Sequence, residues 1–155
     1  MAASRRCVGA EGRRSGSRRA PHQRGRLVPV SDGSPPGRAA RRQASLARDG
    51  DRCLWCGRAF GELVRPTTEH LVPRVKGGPS WSENEAVACH RCNRERGHRT
   101  PAEWAEECRG RGWPVDRAVL VRRLEELETA IGIRGGQRRA RPYVSAQLRR
   151  LRRAG

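Results

Sequence analysis

Two cysteine pairs, Cys53-Leu-Trp-Cys56 and Cys89-His-Arg-Cys92, constrain this chain more than any other feature. Each Cys-x-x-Cys turn brings two thiolates together, and two such turns in one small domain make a tetrahedral four-cysteine zinc site. Four sulfurs close the coordination sphere and leave no position for water, so a zinc ion (Zn2+) held there is structural. Residues 49–110, which carry both pairs, number only 62, a length at which an apolar core alone is marginal. A structural zinc fills that gap: its apparent binding is worth on the order of 10–16 kcal/mol, most of it expressed as folding free energy. His90, inside the second pair, reads as an exposed residue of the turn. Disulfides are the competing use of six cysteines. The N-terminus is Arg-rich and lacks the apolar run of a secretory leader, and no stretch approaches the roughly 18 apolar residues of a membrane span. The expected setting is therefore reducing cytoplasm, with no membrane contact, where such cysteines are metal ligands. Cys7 and Cys108 are left over, as a tail thiol and a helix thiol.

The net charge of +18 is unevenly spread. Residues 1–48 carry 12 Arg against 2 acids, and residues 111–155 carry 12 Arg against 4 acids. Residues 49–110 balance 10 basic groups with 10 acidic ones. The cysteine segment is thus neutral and its flanks are basic. Such flanks attract a polyanion without sequence preference, through counterion release. Arg supplies 33 of the 34 basic residues, Lys76 being the exception, so part of the bias reflects base composition of the gene.

Residues 1–35 mix Arg, Gly, Ser and Pro without periodicity and are expected to be disordered. A short helix is expected from Pro36 to about Arg48, stopped by Gly50, with a thin apolar face of Ala40, Ala44 and Ala47. Cys53 to Gly57 reads as a tight knuckle, and Thr67 to Val72 as a strand leading into Pro73. The loop Pro73–Ser82 contains Gly77-Gly78, and Glu85 to Ala88 forms a second strand. A helix follows from Asn93 to about Gly97. Thr100-Pro-Ala-Glu103 is a capping box with Pro at the first helical position, opening a helix to about Arg109 that buries Trp104 and Cys108. Leu120, Leu124, Leu127 and Ile131 make one stripe on a helix expected over Val115–Ile131, ended by Gly132 and then Gly135-Gly136. A last basic helix is expected over Pro142–Arg153, with Val144, Leu148 and Leu151 packing on the same chain. The organisation expected is α+β: a tail at 1–35, a small domain at 36–110, and a basic helical extension at 111–155.

Between the cysteine pairs lie Glu69-His70-Leu-Val-Pro73, Gly77-Gly78 and Asn84, and the second pair ends in Cys92-Asn93-Arg-Glu-Arg-Gly97. In this order and spacing the stretch from about 45 to 110 resembles the HNH endonuclease family. The resemblance implies a ββα-metal fold, a hairpin and a helix gripping a catalytic cation. It implies His70 as the general base, and an imidazole titrating near neutrality suits that role. It places Glu69 and Asn93 as ligands of a hard divalent ion, magnesium (Mg2+) or similar, which stabilises the scissile phosphate and the departing 3′ oxygen. Asn84 holds the middle position, bracing the loop and orienting the histidine. The family usually has Asp where Glu69 stands and often His where Asn93 stands, so the match is to a His-Asn-Asn variant. His98 is a secondary candidate for metal or phosphate. Arg74, Lys76, Arg94 and Arg96 are candidate contacts to the DNA backbone. Products with 5′-phosphate and 3′-hydroxyl ends, and a nucleoid-associated bacterial or phage setting, follow from the same likeness.

Three functions compete on these residues: a metal-dependent DNA endonuclease, a zinc-stabilised nucleic-acid-binding module without catalysis, and a basic RNA- or ribosome-associated protein. Preference for RNA over DNA in a binding competition favours the third. Deleting residues 1–35 is expected to weaken DNA binding and flatten its dependence on salt, as read by titration at several salt concentrations. An unchanged slope means that the tail does not touch phosphate.

Overall fold

The computed structural model describes residues 36–153. In chain order these form α1 (Arg38–Asp49), β1 (Pro66–His70), a 3-10 turn (Arg74–Lys76), β2 (Glu85–Cys89), α2 (His90–Arg96), α3 (Pro101–Gly110), α4 (Arg117–Arg134) and α5 (Ala140–Arg153). The tail expected at 1–35, with Cys7, lies outside the described residues. No helix described is long and apolar enough to cross a membrane.

The two strands pair antiparallel, from Pro66 opposite Cys89 to His70 opposite Glu85. The first strand stops at His70, two residues short of the expected Val72. Beyond it the backbone N–H of Leu71 still donates to the Asn84 carbonyl at 2.9 Å, but that of Val72 turns to the Asn84 side chain at 2.8 Å. All five residues of β2 are buried, because α1 packs on the sheet as well as the knuckle and α2. Gly78 passes so close to Val72 that a Cβ would lie 1.9 Å from the Val72 carbonyl oxygen, so no other residue closes this loop. Gly57, at φ +67°, is likewise required: a Cβ there would meet Pro114 at 2.7 Å.

The helix after the second strand begins at His90, three residues before the expected start, with Cys89 as its N-cap. The Cys89 sulfur accepts from the Cys92 N–H at 3.5 Å, the place a Ser or Asp oxygen usually fills. The Thr100–Glu103 capping box is fully formed, and Trp104 and Cys108 are buried on α3. Asp116 caps α4, whose stripe of Leu120, Leu124, Leu127 and Ile131 is buried. That helix runs past Ile131 and through Gly132, the first of the expected stops, and ends at Gly135, the second. Nothing lies within 4 Å of a Cβ at Gly132, so packing imposes no break there, and a lone helical glycine costs about 1 kcal/mol.

One apolar cluster holds the domain together, joining Trp55 of the knuckle, Leu71, Trp104 of α3, the α4 stripe and Val144, Leu148 and Leu151 of α5. The C-terminal helices therefore share the core of the cysteine segment. Leu124→Ala is expected to destabilise the fold by about 2–5 kcal/mol, read by urea unfolding. A loss well under about 1 kcal/mol contradicts this packing.

Candidate metal and active site

Cys53, Cys56, Cys89 and Cys92 are all buried, and their sulfurs lie within 4.8 Å of one another. Cys56 and Cys89 sulfurs are 3.9 Å apart. Tetrahedral zinc at about 2.3 Å from each sulfur requires about 3.8 Å between them. The cluster can therefore hold a zinc ion. The Cys53 sulfur accepts hydrogen bonds from the Cys92 thiol and from backbone N–H groups, which lower its pKa, while Cys92 as donor is pushed up. Arg58 reaches to 3.3 Å of the Cys89 sulfur and offsets thiolate charge. Cys108 is not a ligand: burial raises its thiol to about 12 and leaves it inert. His90 is exposed and outside the cluster.

From this clamp the neighbouring chemistry is positioned. Cys89 closes β2 and caps α2, so Asn93, one turn on, faces β1. Its Nδ2 donates to Thr67 Oγ1 at 3.0 Å and to the Thr68 carbonyl at 2.9 Å. That fixes the amide and leaves Oδ1 without a protein partner among the described residues. Glu69, buried at 2% exposure, ion-pairs with Arg96 through Oε1, while its Oε2 is buried and unpaired. Glu69, His70, Asn93 and His98 line one cavity of about 210 Å³. Glu69 and Asn93 each keep one oxygen without a partner among the described residues, and a carboxylate and an amide oxygen are donors that fit a hard divalent cation.

Asn84 is fully buried and ties the loop shut. It accepts from Val72 N–H and donates to the carbonyls of Val72 at 3.1 Å and Pro79 at 2.8 Å. The backbone just beyond His70 is thereby fixed.

Arg96 corrects the sequence reading. It is 2% exposed, donates to the His70 and Leu71 carbonyls at 2.7 and 2.8 Å, and neutralises Glu69, so it cannot reach a DNA backbone. Burial pulls its pKa to about 10, and it stays charged at neutral pH. Arg74, Lys76 and Arg94 are exposed.

Sequence reasoning missed Glu85. Its carboxylate is buried, held by Arg41 Nε at 2.9 and 3.0 Å, and lies 3.4 Å from His70 Nε2. Its carbonyl accepts from Ser45, Arg48 and Arg123. The only signal was an acid opening an otherwise apolar strand. Burial lowers the His70 pKa below 6.5, against the pull of Glu85, and Arg74, Arg41 and Arg38 lower it further. A larger cavity, about 460 Å³, lies against α4 and contains none of these residues.

Residues 53–108 match the family model for HNH endonuclease. The chain is similar to the CRISPR-associated endonuclease Cas9 of Corynebacterium diphtheriae, at 30% identity over 114 residues, covering 73% of this chain and 10% of that protein. Among solved structures it is similar to the Type II-C Cas9 enzyme from Actinomyces naeslundii, with 26% identity and a TM-score of 0.46, over 76% of this chain and 12% of that one. The chain thus corresponds to about a tenth of the length of these relatives.

Purified protein is expected to carry one tightly bound zinc per chain by elemental analysis, and Cys92→Ser to lose both the zinc and cooperative unfolding. A metal-free protein that melts cooperatively contradicts a structural zinc.

Proposed function

We propose that this protein is a metal-dependent DNA endonuclease with His70 as its general base, a reading supported by the match of residues 53–108 to the HNH endonuclease model. One observation carries the reading: within that segment, imidazole, carboxylate and carboxamide from β1 and α2 line a single cavity. Hydrolysis of a phosphodiester needs a group to take a proton from water and a positive charge at phosphorus. His70, kept neutral by burial and by nearby guanidinium groups, is in its basic form at neutral pH. Nε2 lies 3.4 Å from Glu85 Oε1 without a hydrogen bond between them, and the charge of that carboxylate favours the proton on Nε2, which leaves Nδ1 to take the proton from water. Glu85 acts on His70 through its charge, biasing the tautomer, while Asn84 holds the backbone behind it. Glu69 Oε2 and Asn93 Oδ1 would hold a magnesium or similar ion, which supplies charge neutralisation at the phosphate and the leaving oxygen. Arg74, Lys76 and Arg94, all exposed, are the cations this reading assigns to phosphates.

The Arg96–Glu69 ion pair favours a second reading, a zinc-stabilised nucleic-acid-binding module without cleavage. Neutralising the carboxylate weakens its hold on a cation. The basic flanks serve either function.

Protein with magnesium is expected to nick or linearise plasmid DNA, and His70→Ala to lower the rate by about 10²–10⁴-fold with zinc content unchanged. Equal activity in both proteins removes the enzyme claim. The pH profile carries a sign. A base with a lowered pKa loses activity only as pH falls through that lowered value, so the acid limb lies below 6.5. Rates from about pH 5 to about pH 8 check it, and a limb above 6.5 contradicts the assignment.

A further inference from the structure

His70 stands between two cavities. The second, about 260 Å³, lies on the side of α1 and shares Thr68, His70 and Arg74 with the first. Its other walls include Arg38 and Arg41 of α1, Ser80 of the loop, and Glu85. Charge in this cavity is one-sided. Its carboxylate, Glu85, is fully buried and already matched by Arg41. Arg38 and Arg74 are exposed and have no acidic partner among the described residues. Two uncompensated guanidinium groups and a hydroxyl therefore face a concave site that opens beside the candidate base. Guanidinium forks suit phosphate oxygens, and a walled cavity strengthens the attraction over that of an open surface.

We propose that this cavity is a subsite for a backbone phosphate next to the scissile one on the same DNA strand, with Arg38 and Arg74 as its donors. The proposal deepens the nuclease reading and rests on it for the identity of the strand. A strand whose scissile phosphate enters the Glu69–Asn93 cavity must pass His70, and the shared wall places its neighbour in the α1 cavity. The first helix thus becomes part of the binding surface rather than a prop for the sheet. Arg41 forms the floor: its charge is spent on Glu85, and it keeps that acid from repelling the phosphate.

The test uses full-length His70→Ala protein and a labelled DNA duplex without added divalent cation. Binding is measured by fluorescence anisotropy across a range of salt. Arg38→Ala with Arg74→Ala is compared with a charge-matched pair on exposed positions outside the cavity, Arg42→Ala with Arg149→Ala. The first pair is expected to reduce the slope of log affinity against log salt by about 1.8, as loss of two phosphate contacts requires, and the control pair by less than half of that. Arg38→Lys with Arg74→Lys should keep the slope, since the point charges remain. Equal losses from both alanine pairs mean diffuse attraction only and overturn the subsite, as does no loss from either. A separate arm measures plasmid cleavage with His70 intact, where the first pair should raise KM. If the wild type fails to cleave, the nuclease reading falls, while the binding arm still decides whether the cavity takes phosphate.

Discussion

The four-sulfur cluster is the constraint from which the rest of the site follows. Cys53 and Cys56 come from the knuckle, Cys89 ends the second strand, and Cys92 sits in the first turn of α2. One point of attachment therefore fixes both the knuckle on the sheet and the angle at which α2 leaves it. The backbone reinforces this, with Leu54 N–H bonded to the Val87 carbonyl at 3.1 Å and Cys89 N–H to the Cys53 sulfur at 3.2 Å. Asn93 meets β1 only because Cys89 and Cys92 have already aimed the helix.

Around this clamp the domain spends buried polar groups rather than apolar bulk. Glu69 with Arg96, and Glu85 with Arg41, set two ion pairs on either side of the His70 strand position. Arg123 of α4 is also buried and bonds to carbonyls at the start of β2 while facing Asp49 of α1. Such pairs add little net stability, but removing one partner strands a buried charge at a cost of about 3–5 kcal/mol. They fix where α1 and α4 dock, and so they define the walls of the cavities beside His70.

Local signals carried much of this into the sequence. The cysteine spacing, the Thr100–Glu103 box and the Leu120–Ile131 stripe each depend on a few neighbouring residues, and each forms as its spacing dictates. What the sequence hid depends on distant contacts. Arg96 looks like its exposed neighbour Arg94 until the helix is docked on β1. Glu85 looks like a strand end until the register sets it opposite His70 and α1 covers it. The thin apolar face of α1 gave no hint that its docking is polar, through Arg41, Ser45 and Arg48. Gly132 carried a stop signal, yet the helix started by the packed stripe before it runs on to Gly135.

Anomalous X-ray scattering from crystals soaked in manganese tests the central claim most directly. It locates any zinc and manganese independently in the same molecule. The account predicts zinc within about 2.3 Å of all four cysteine sulfurs, and manganese between Glu69 Oε2 and Asn93 Oδ1 beside His70. Zinc bound elsewhere, or manganese absent from that cavity while present at other surface carboxylates, contradicts it.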